Sequence, residues 1–313
     1  MIREKIQQDF PLAPLSTFKI GGAAEFFVVV ATSAELEEAV AWAKEQKKPV
    51  TVLGGGSNIL VNDSGVRGLV IKVGNEKLEF GDNRITCGAS TNVWDVAQAA
   101  FEHGLAGMEW SIGIPGSMGG AIRGNAGAHG GSFDKIVGAV TVFDTDSMQW
   151  QTYPADDCAF AYRSSRFKSE PHYVIWEVTL DLVPGDKQMM AEAIAGYKQY
   201  RRDSQPKEPS AGCIFKNFFA DDIKRANLEL YARAEADKKI RGGKIGAGYL
   251  VQQLGLMGHA HGGAKISDQH ANFIVNASDA TASDVVALIA DVKQRIRDRY
   301  NVELEEEVQY IGF

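Results

Sequence analysis

Cysteine is scarce and scattered: the 313 residues hold three, Cys87, Cys158 and Cys213, far apart and with no metal-ligand spacing between them. Neither a disulfide framework nor a zinc site is suggested. No apolar run reaches membrane-spanning length, and Met1-Ile2-Arg3-Glu4-Lys5 leads into polar residues where a secretory signal would place an apolar core. This predicts a cytoplasmic protein with no membrane partner. Positive charge is not in excess either: 33 Lys and Arg face 40 Asp and Glu, a formal net charge of −7. That argues against nucleic acid as a general partner, because phosphate-backbone binding wants a basic surface. Any anionic ligand must be met by locally placed cations.

What is present is ordinary globular material, 45% hydrophobic and 23% charged, long enough for two cores. Two domains are expected, 1–200 and 201–313, with Arg201 to Pro209 as the linker. The run Val52-Leu53-Gly54-Gly55-Gly56-Ser57-Asn58-Ile59-Leu60-Val61 reads as strand, tight loop, strand. Glycines without Cβ atoms let successive N–H groups approach a ligand and form a nest for phosphate oxygens. The stretch matches neither the Walker pattern nor G-x-G-x-x-G. Before it, Glu25–Val30 reads as a buried strand, and Thr32 caps a helix that buries Leu36, Ala39, Val40 and Ala43. Strand, helix, strand and glycine loop in that order fit a βαβ unit that presents a ligand site.

A second glycine-rich stretch runs from Trp110 to Gly131. It is too poor in large side chains to build a core and too apolar to be a solvated linker, so it must wrap something closely. Two such loops in one domain favour an extended polyanion, and a dinucleotide fits. Elsewhere, Thr91 or Asn92 caps a helix through His103 with Trp94, Ala97 and Phe101 on its core face. Another helix covers Asp186 to Arg202. Ser283 caps a third that buries Val285, Leu288, Ile289, Val292 and Ile296. Near the end, Glu305, Glu306 and Glu307 stand in a row; in a strand, Glu305 and Glu307 would share a face.

The series Ser16-Thr17-Phe18-Lys19-Ile20-Gly21-Gly22, Leu53-Gly54-Gly55-Gly56-Ser57-Asn58, and Ile114-Pro115-Gly116-Ser117-Met118-Gly119-Gly120-Ala121 with Asn125-Ala126-Gly127-Ala128 closely resembles the UDP-N-acetylenolpyruvoylglucosamine reductase family. The resemblance covers nearly the whole chain. It implies an α+β fold: a vanillyl-alcohol-oxidase-type (PCMH-type) FAD-binding domain, then a smaller α+β substrate-binding domain whose C-terminal strand returns to the active site. FAD would lie on Leu53, Gly54, Gly55, Gly56, Ser57, Asn58, Pro115, Gly116, Ser117, Gly119, Gly120, Asn125, Ala126 and Gly127. NADPH would be the co-substrate. Arg163, in Tyr162-Arg163, would face the enolpyruvyl carboxylate of the substrate. Cys213, in Ser210-Ala211-Gly212-Cys213-Ile214-Phe215-Lys216-Asn217, takes the position of the proton donor, usually serine in the family. Glu307 matches the catalytic glutamate, with Glu305 its nearest competitor.

Tyr162, Lys216, Asn217, Lys244 and His270 are carried as candidate substrate contacts, Lys216 and Lys244 for the UDP phosphates; for His270 a structural role is at least as strong. Phe218 departs from the proline that many relatives carry, which leaves the following turn open. The chain resembles the shorter form of the family, without a tyrosine-bearing insertion between Arg163 and Cys213. The implied reaction is NADPH-dependent, FAD-mediated reduction of UDP-N-acetylenolpyruvoylglucosamine by a monomeric enzyme of peptidoglycan precursor synthesis. Glu307 would act best protonated, with a raised pKa. Two other readings compete: a flavin oxidase of the same cofactor-domain type acting on a sugar or alcohol, and a nucleotide-binding module without turnover.

Overall fold

The apolar run expected as a strand forms one over Ala23–Val30, and the helix after it spans Ser33–Glu45 in the computed structural model, which describes residues 2–313. Thr32 caps this helix by accepting the N–H of Glu35 at 3.2 Å. The reciprocal half of the box is displaced by one residue, since the Glu35 carboxylate takes the N–H of Ala31 at 2.8 Å. Leu36, Ala39, Val40 and Ala43 are the buried face, as their spacing predicts.

The chain divides into two units. The first comprises the described residues up to Phe10, Ala24–Gly55 and Arg67–Asp203. It carries a four-stranded sheet in the order Gln7–Pro11, Ala23–Val30, Val66–Val73, Val50–Leu53, the last two parallel. A five-stranded antiparallel sheet follows in the order Gln149–Pro154, Val137–Asp144, Tyr173–Asp181, Arg84–Gly88, Leu78–Phe80. One apolar cluster, including Val28, Leu36, Ile71, Ile85, Val140 and Phe167, joins these sheets to their helices.

The helix Val93–Glu102 is capped by Asn92, whose side chain accepts the N–H of Trp94 at 2.9 Å. Its buried face is Val93, Val96, Ala97 and Ala100. Trp94 and Phe101, expected in the core, are only half-buried at its border, and the Lys198 ammonium stands 4.5 Å from the Trp94 ring centre. The smaller side chains Val93, Val96, Ala97 and Ala100 fill the buried face, which leaves the bulky rings at the rim.

The second unit comprises Pro11–Ala23, Gly56–Val66 and Ser204–Phe313. The contiguous division expected at residue 200 therefore differs from the units in two early segments. The reason is strand pairing: Gln309–Ile311 runs parallel to Ile59–Val61, with Gln309 opposite Ile59. Phe18, Ile20 and Leu60 are buried in the same apolar cluster as Leu250, Leu288 and Ile296. A sheet in the order Ser210–Cys213, Phe273–Asn276, Ala264–Ile266, Ala260–His261 packs with the helix Ala282–Tyr300.

Thr281, not Ser283, caps that helix, in a full capping box with Asp284. Ser283 instead gives its N–H and hydroxyl to Asp63, at 3.0 and 2.9 Å. The glutamate triplet is not a regular strand either: Glu306 forms one isolated antiparallel bridge with Phe215, and strand begins only at Gln309. The two-residue alternation therefore does not decide where these carboxylates point. No helix among the described residues is long and apolar enough to cross a membrane.

Candidate active site

In the first unit, Leu53 ends a strand as a buried residue and hands the chain to Gly54 and Gly55. The N–H of Gly55 donates to Ser117 Oγ at 3.0 Å. A Cβ on Gly55 would stand 2.6 Å from both Gly116 Cα and Ser117 N, so the two glycine-rich loops pack backbone against backbone. Only glycine allows that approach. Lys72, opposite Leu53 on the neighbouring strand, donates its ammonium to the Gly54 carbonyl at 3.3 Å.

The second loop continues through Pro115 and Ser117 into the short helix Met118–Arg123, which buries Met118, Ala121 and Ile122. Gly119 packs on Ala89, while Gly120 is exposed and carries no side chain. Ala126 donates its N–H to the Ala121 carbonyl at 2.8 Å and so closes the helix. Two apposed loops with bare backbone at Gly54, Gly116 and Gly120 fit the diphosphate of a dinucleotide. Asn125, expected at the cofactor, spends its amide on the protein: Nδ2 donates to Ala161 O at 3.0 Å and Oδ1 accepts Asp134 N–H at 3.0 Å.

Arg163 joins this second loop. Its Nη2 donates to the Gly127 carbonyl at 3.0 Å, and its guanidinium stands 5.4 Å from the Tyr162 ring centre. Its φ of +55° lies in the left-handed region, which costs a branched or long side chain about 1 kcal/mol or more. Such strain persists where surrounding bonds over-determine it. Here Lys168 Nζ holds the Arg163 carbonyl at 3.0 Å, and Ala161 and Ser164 exchange backbone bonds across the turn.

In the second unit, the rest of the first glycine loop turns to other work. A Cβ on Gly56 would meet the Leu15 carbonyl oxygen at 2.0 Å, and the Gly56 carbonyl accepts the N–H of Thr17 at 3.0 Å. Ser57 is half-buried. Asn58 Nδ2 donates to the Glu307 carbonyl at 3.2 Å, and its own carbonyl accepts Gln309 N–H at 3.0 Å. Asn58, expected on the cofactor, thus anchors the end of the chain.

Cys213 closes the strand Ser210–Cys213, opposite Phe273, after Gly212 at φ +77°. Its thiol is the only half-exposed one of the three; Cys87 and Cys158 are fully buried, and burial pushes them up to about 12 and about 11. The next residue, Ile214, accepts the N–H of Glu307 at 2.7 Å. Cys213 and Glu307, 94 positions apart as 307 − 213, are therefore brought onto neighbouring backbone segments.

The flanking glutamates are otherwise engaged. Glu305 pairs with Lys216, and Glu306 pairs with Lys293 at 2.6 Å. Lys216 thus has a carboxylate partner within the protein. Asn217 Oδ1 accepts the N–H of Ala247 at 3.2 Å, at the start of the helix Ala247–Gln253. Lys244 lies over the Phe219 ring, 5.4 Å from its centre.

His270 is engaged by its own segment. Its Nδ1 accepts the N–H of Asn272 at 3.2 Å, its ring tilts over Phe273, and burial holds its pKa below the usual imidazole range. Asn272 is the residue that sequence reading missed. Buried, it accepts Phe215 N–H at 3.0 Å, donates to Phe215 O at 2.9 Å, and takes Ile214 N–H on its own carbonyl at 2.8 Å. It clamps the segment that carries Cys213. No spacing rule marks such an asparagine, because its side chain bonds the backbone of Phe215, 57 positions away.

Residues 205–311 match the family model for the C-terminal domain of UDP-N-acetylenolpyruvoylglucosamine reductase, and residues 24–152 match an FAD binding domain. The UDP-N-acetylenolpyruvoylglucosamine reductase of Synechococcus sp. (strain JA-3-3Ab) is 37% identical over 98% of this chain and 92% of its own length. That of Bacillus subtilis (strain 168) is 37% identical over 98% and 94%. The crystal structure of the Thermus caldophilus enzyme superposes with a TM-score of 0.77 at 31% identity, covering 98% of this chain and 99% of that one. The expected α+β architecture, an FAD-binding domain followed by the reductase C-terminal domain, is the one found. By full-length similarity in sequence and fold, the chain belongs to the UDP-N-acetylenolpyruvoylglucosamine reductase family.

Proposed function

We propose that this protein reduces the enolpyruvyl ether of UDP-N-acetylenolpyruvoylglucosamine to UDP-N-acetylmuramate, with FAD as cofactor and NADPH as co-substrate, as a cytoplasmic monomer in peptidoglycan precursor synthesis. The reaction adds a hydride to one carbon and a proton to its neighbour. Bound FAD, recharged by NADPH, supplies the hydride, which no side chain can furnish. The first unit provides the apposed glycine loops that would hold it, and Glu307 and Cys213 carry the proton chemistry in the second.

As hydride arrives, charge develops on the substrate carboxylate as an enediolate. Arg163, fixed by Gly127 and by its own strained turn, offers a planar fork of donors to it. Glu307 stabilises the same charge as a protonated acid, since a second bare carboxylate would repel the substrate. The Cys213 thiol then donates its proton to the carbanionic carbon as general acid. A thiol, ordinarily near pKa 8.5, releases that proton far more readily than a serine hydroxyl, with about this value as the reference.

The observation that supports this reading most is the bond from Glu307 N–H to Ile214 O, which sets the candidate acid beside the candidate proton donor. The test is the visible spectrum of the purified protein, followed by anaerobic NADPH oxidation with and without UDP-N-acetylenolpyruvoylglucosamine. A yellow protein whose sustained turnover requires that substrate is expected. Bound flavin indifferent to the substrate, with a reduced form that reacts rapidly with oxygen, would mean an oxidase instead. Bound flavin with no NADPH oxidation would mean a binding module.

A further inference from the structure

The chain reaches Cys213 through a bulge. Gly212 holds a φ of +77°, a Cβ there would meet nothing within 4 Å, and the pairing of Ser210–Cys213 with Phe273–Asn276 slips its register between Ser210 and Cys213. Cys213, opposite Phe273, is the last rung of that ladder. A bulged strand with a left-handed glycine just before its end places the next residue loosely unless something beyond it fixes the chain.

What lies beyond is held by one side chain. Asn272, 3% exposed, takes the Phe215 N–H on Oδ1 at 3.0 Å and returns Nδ2 to the Phe215 carbonyl at 2.9 Å. A primary amide offers the same donor and acceptor as a peptide group, so Asn272 pairs with Phe215 after the regular strand has ended. Its backbone carbonyl accepts the Ile214 N–H at 2.8 Å, and its own N–H goes to His270 Nδ1 at 3.2 Å. Aspartate would lack the donor, alanine would lack both groups, and glutamine would set the amide one methylene too far.

The same two residues meet the terminal glutamates. The Ile214 carbonyl accepts the Glu307 N–H at 2.7 Å, Phe215 bridges Glu306, and the Lys216 N–H donates to the Glu305 carbonyl at 2.8 Å. Ile214 and Phe215 are therefore a common support for Cys213 and Glu307. Behind Asn272, a Cβ on Gly248 would stand 3.2 Å from both Asn272 Cβ and Asn272 N, so the helix Ala247–Gln253 backs against the asparagine. Satisfying two buried peptide groups would explain an asparagine anywhere in a fold. This one is set apart by its cargo, a segment that carries Cys213 and the contact to Glu307.

We infer that Asn272 is a positioning residue for the proton transfer: it fixes Ile214 and Phe215 so that the Cys213 thiol is presented in one geometry, with Glu307 beside it. The inference rests on the reading of Cys213 as proton donor given above. In that step the Cys213 S–H bond breaks, a C–H bond forms at the carbanionic carbon, and the thiolate keeps the electron pair. Asn272 touches no reacting atom and acts through Cys213. A donor misplaced by about 1 Å loses about 100-fold in rate.

The experiment separates the two half-reactions of the flavin-loaded protein by anaerobic stopped flow, in Asn272→Asp, Cys213→Ala and the double variant. Asn272→Asp should slow reoxidation of the reduced flavin by UDP-N-acetylenolpyruvoylglucosamine about 10- to 100-fold and leave its reduction by NADPH within about 2-fold. In the Cys213→Ala background the same substitution should cost less than about 2-fold more, because the thiol it positions is gone. Without any turnover, iodoacetamide should alkylate Cys213 about 3- to 10-fold faster in Asn272→Asp, since the segment after the thiol is loosened. Equal slowing of both half-reactions, full additivity with Cys213→Ala, or unchanged alkylation would assign Asn272 to structure alone and overturn the inference. Should Asn272→Asp fail to fold, Gly248→Ala decides, because its methyl presses on Asn272 and leaves the amide intact. Selective slowing of reoxidation by about 3-fold or more is then expected, and an unchanged rate overturns the inference. An unaltered protein whose reduced flavin ignores the UDP-sugar, or a fully active Cys213→Ala, refutes the reading of the reaction itself and is thereby distinguishable.

Discussion

Glu307 donates its backbone N–H to the carbonyl of Ile214 at 2.7 Å, and its own carbonyl receives Asn58 Nδ2 at 3.2 Å and Gln309 Nε2 at 2.8 Å. The glutamate is thus held on both sides of its Cα, while its neighbour Glu305 keeps a side chain 71% exposed and paired with Lys216. Glu307→Gln is therefore expected to lower kcat by about 100- to 10,000-fold, and Glu305→Gln to change it by no more than about 3-fold. Steady-state kinetics on both variants decides the assignment; the reverse pattern would sink it.

Of the three thiols, Cys213 alone should react with a thiol reagent in the native protein, since Cys87 and Cys158 are fully buried. Peroxide should therefore inactivate the enzyme in step with loss of that one thiol. Cys213→Ser should retain partial turnover and Cys213→Ala should lose about 1,000-fold. Full activity in the alanine variant would remove Cys213 from the mechanism.

Glycine substitutions separate close approach from mere flexibility. Gly55→Ala forces a Cβ within 2.6 Å of backbone atoms of Gly116 and Ser117, so a loss of about 1–3 kcal/mol in stability and weakened flavin retention are expected. Gly196→Ala, exposed in the helix Lys187–Ser204 with nothing near its Cβ position, should stabilise by about 0.5–1 kcal/mol. Thermal melts of the two variants should move in opposite directions.

Stability should also fall on mild acidification. His270 is kept neutral by burial, with Nδ1 accepting the Asn272 N–H, so its folded pKa lies below its unfolded one. Below the unfolded value of about 6.5 the unfolded chain binds the extra proton; the contribution is complete above that pH and is lost as pH falls through it. His129 shifts in the same direction, through burial and then the Arg201 guanidinium. Melting temperature should drop between about pH 7.5 and 5.5, and less in His270→Gln. An equal drop in both proteins would exclude His270 as a source.

The sequence by itself determined the pieces whose cause is local. The face of Ser33–Glu45 follows from 3.6-residue periodicity, and the buried row of Ala282–Tyr300 from the same rule. The glycine loops were legible because only glycine tolerates the close backbone approach they make, and the family's ordered motifs mark Arg163, Cys213 and Glu307 as candidates. Tertiary structure alone decided what distant partners impose. Trp94 and Phe101 lie at the rim because valine and alanine take the buried face of their helix. Asn58 and Asn125 took backbone partners, and Asn272 became the clamp behind Cys213. The fate of each terminal glutamate was settled by Lys216, Lys293 and Ile214. A backbone carbonyl or lysine from another segment leaves no periodic trace at the residue it binds, so these assignments exist only once the chain is folded.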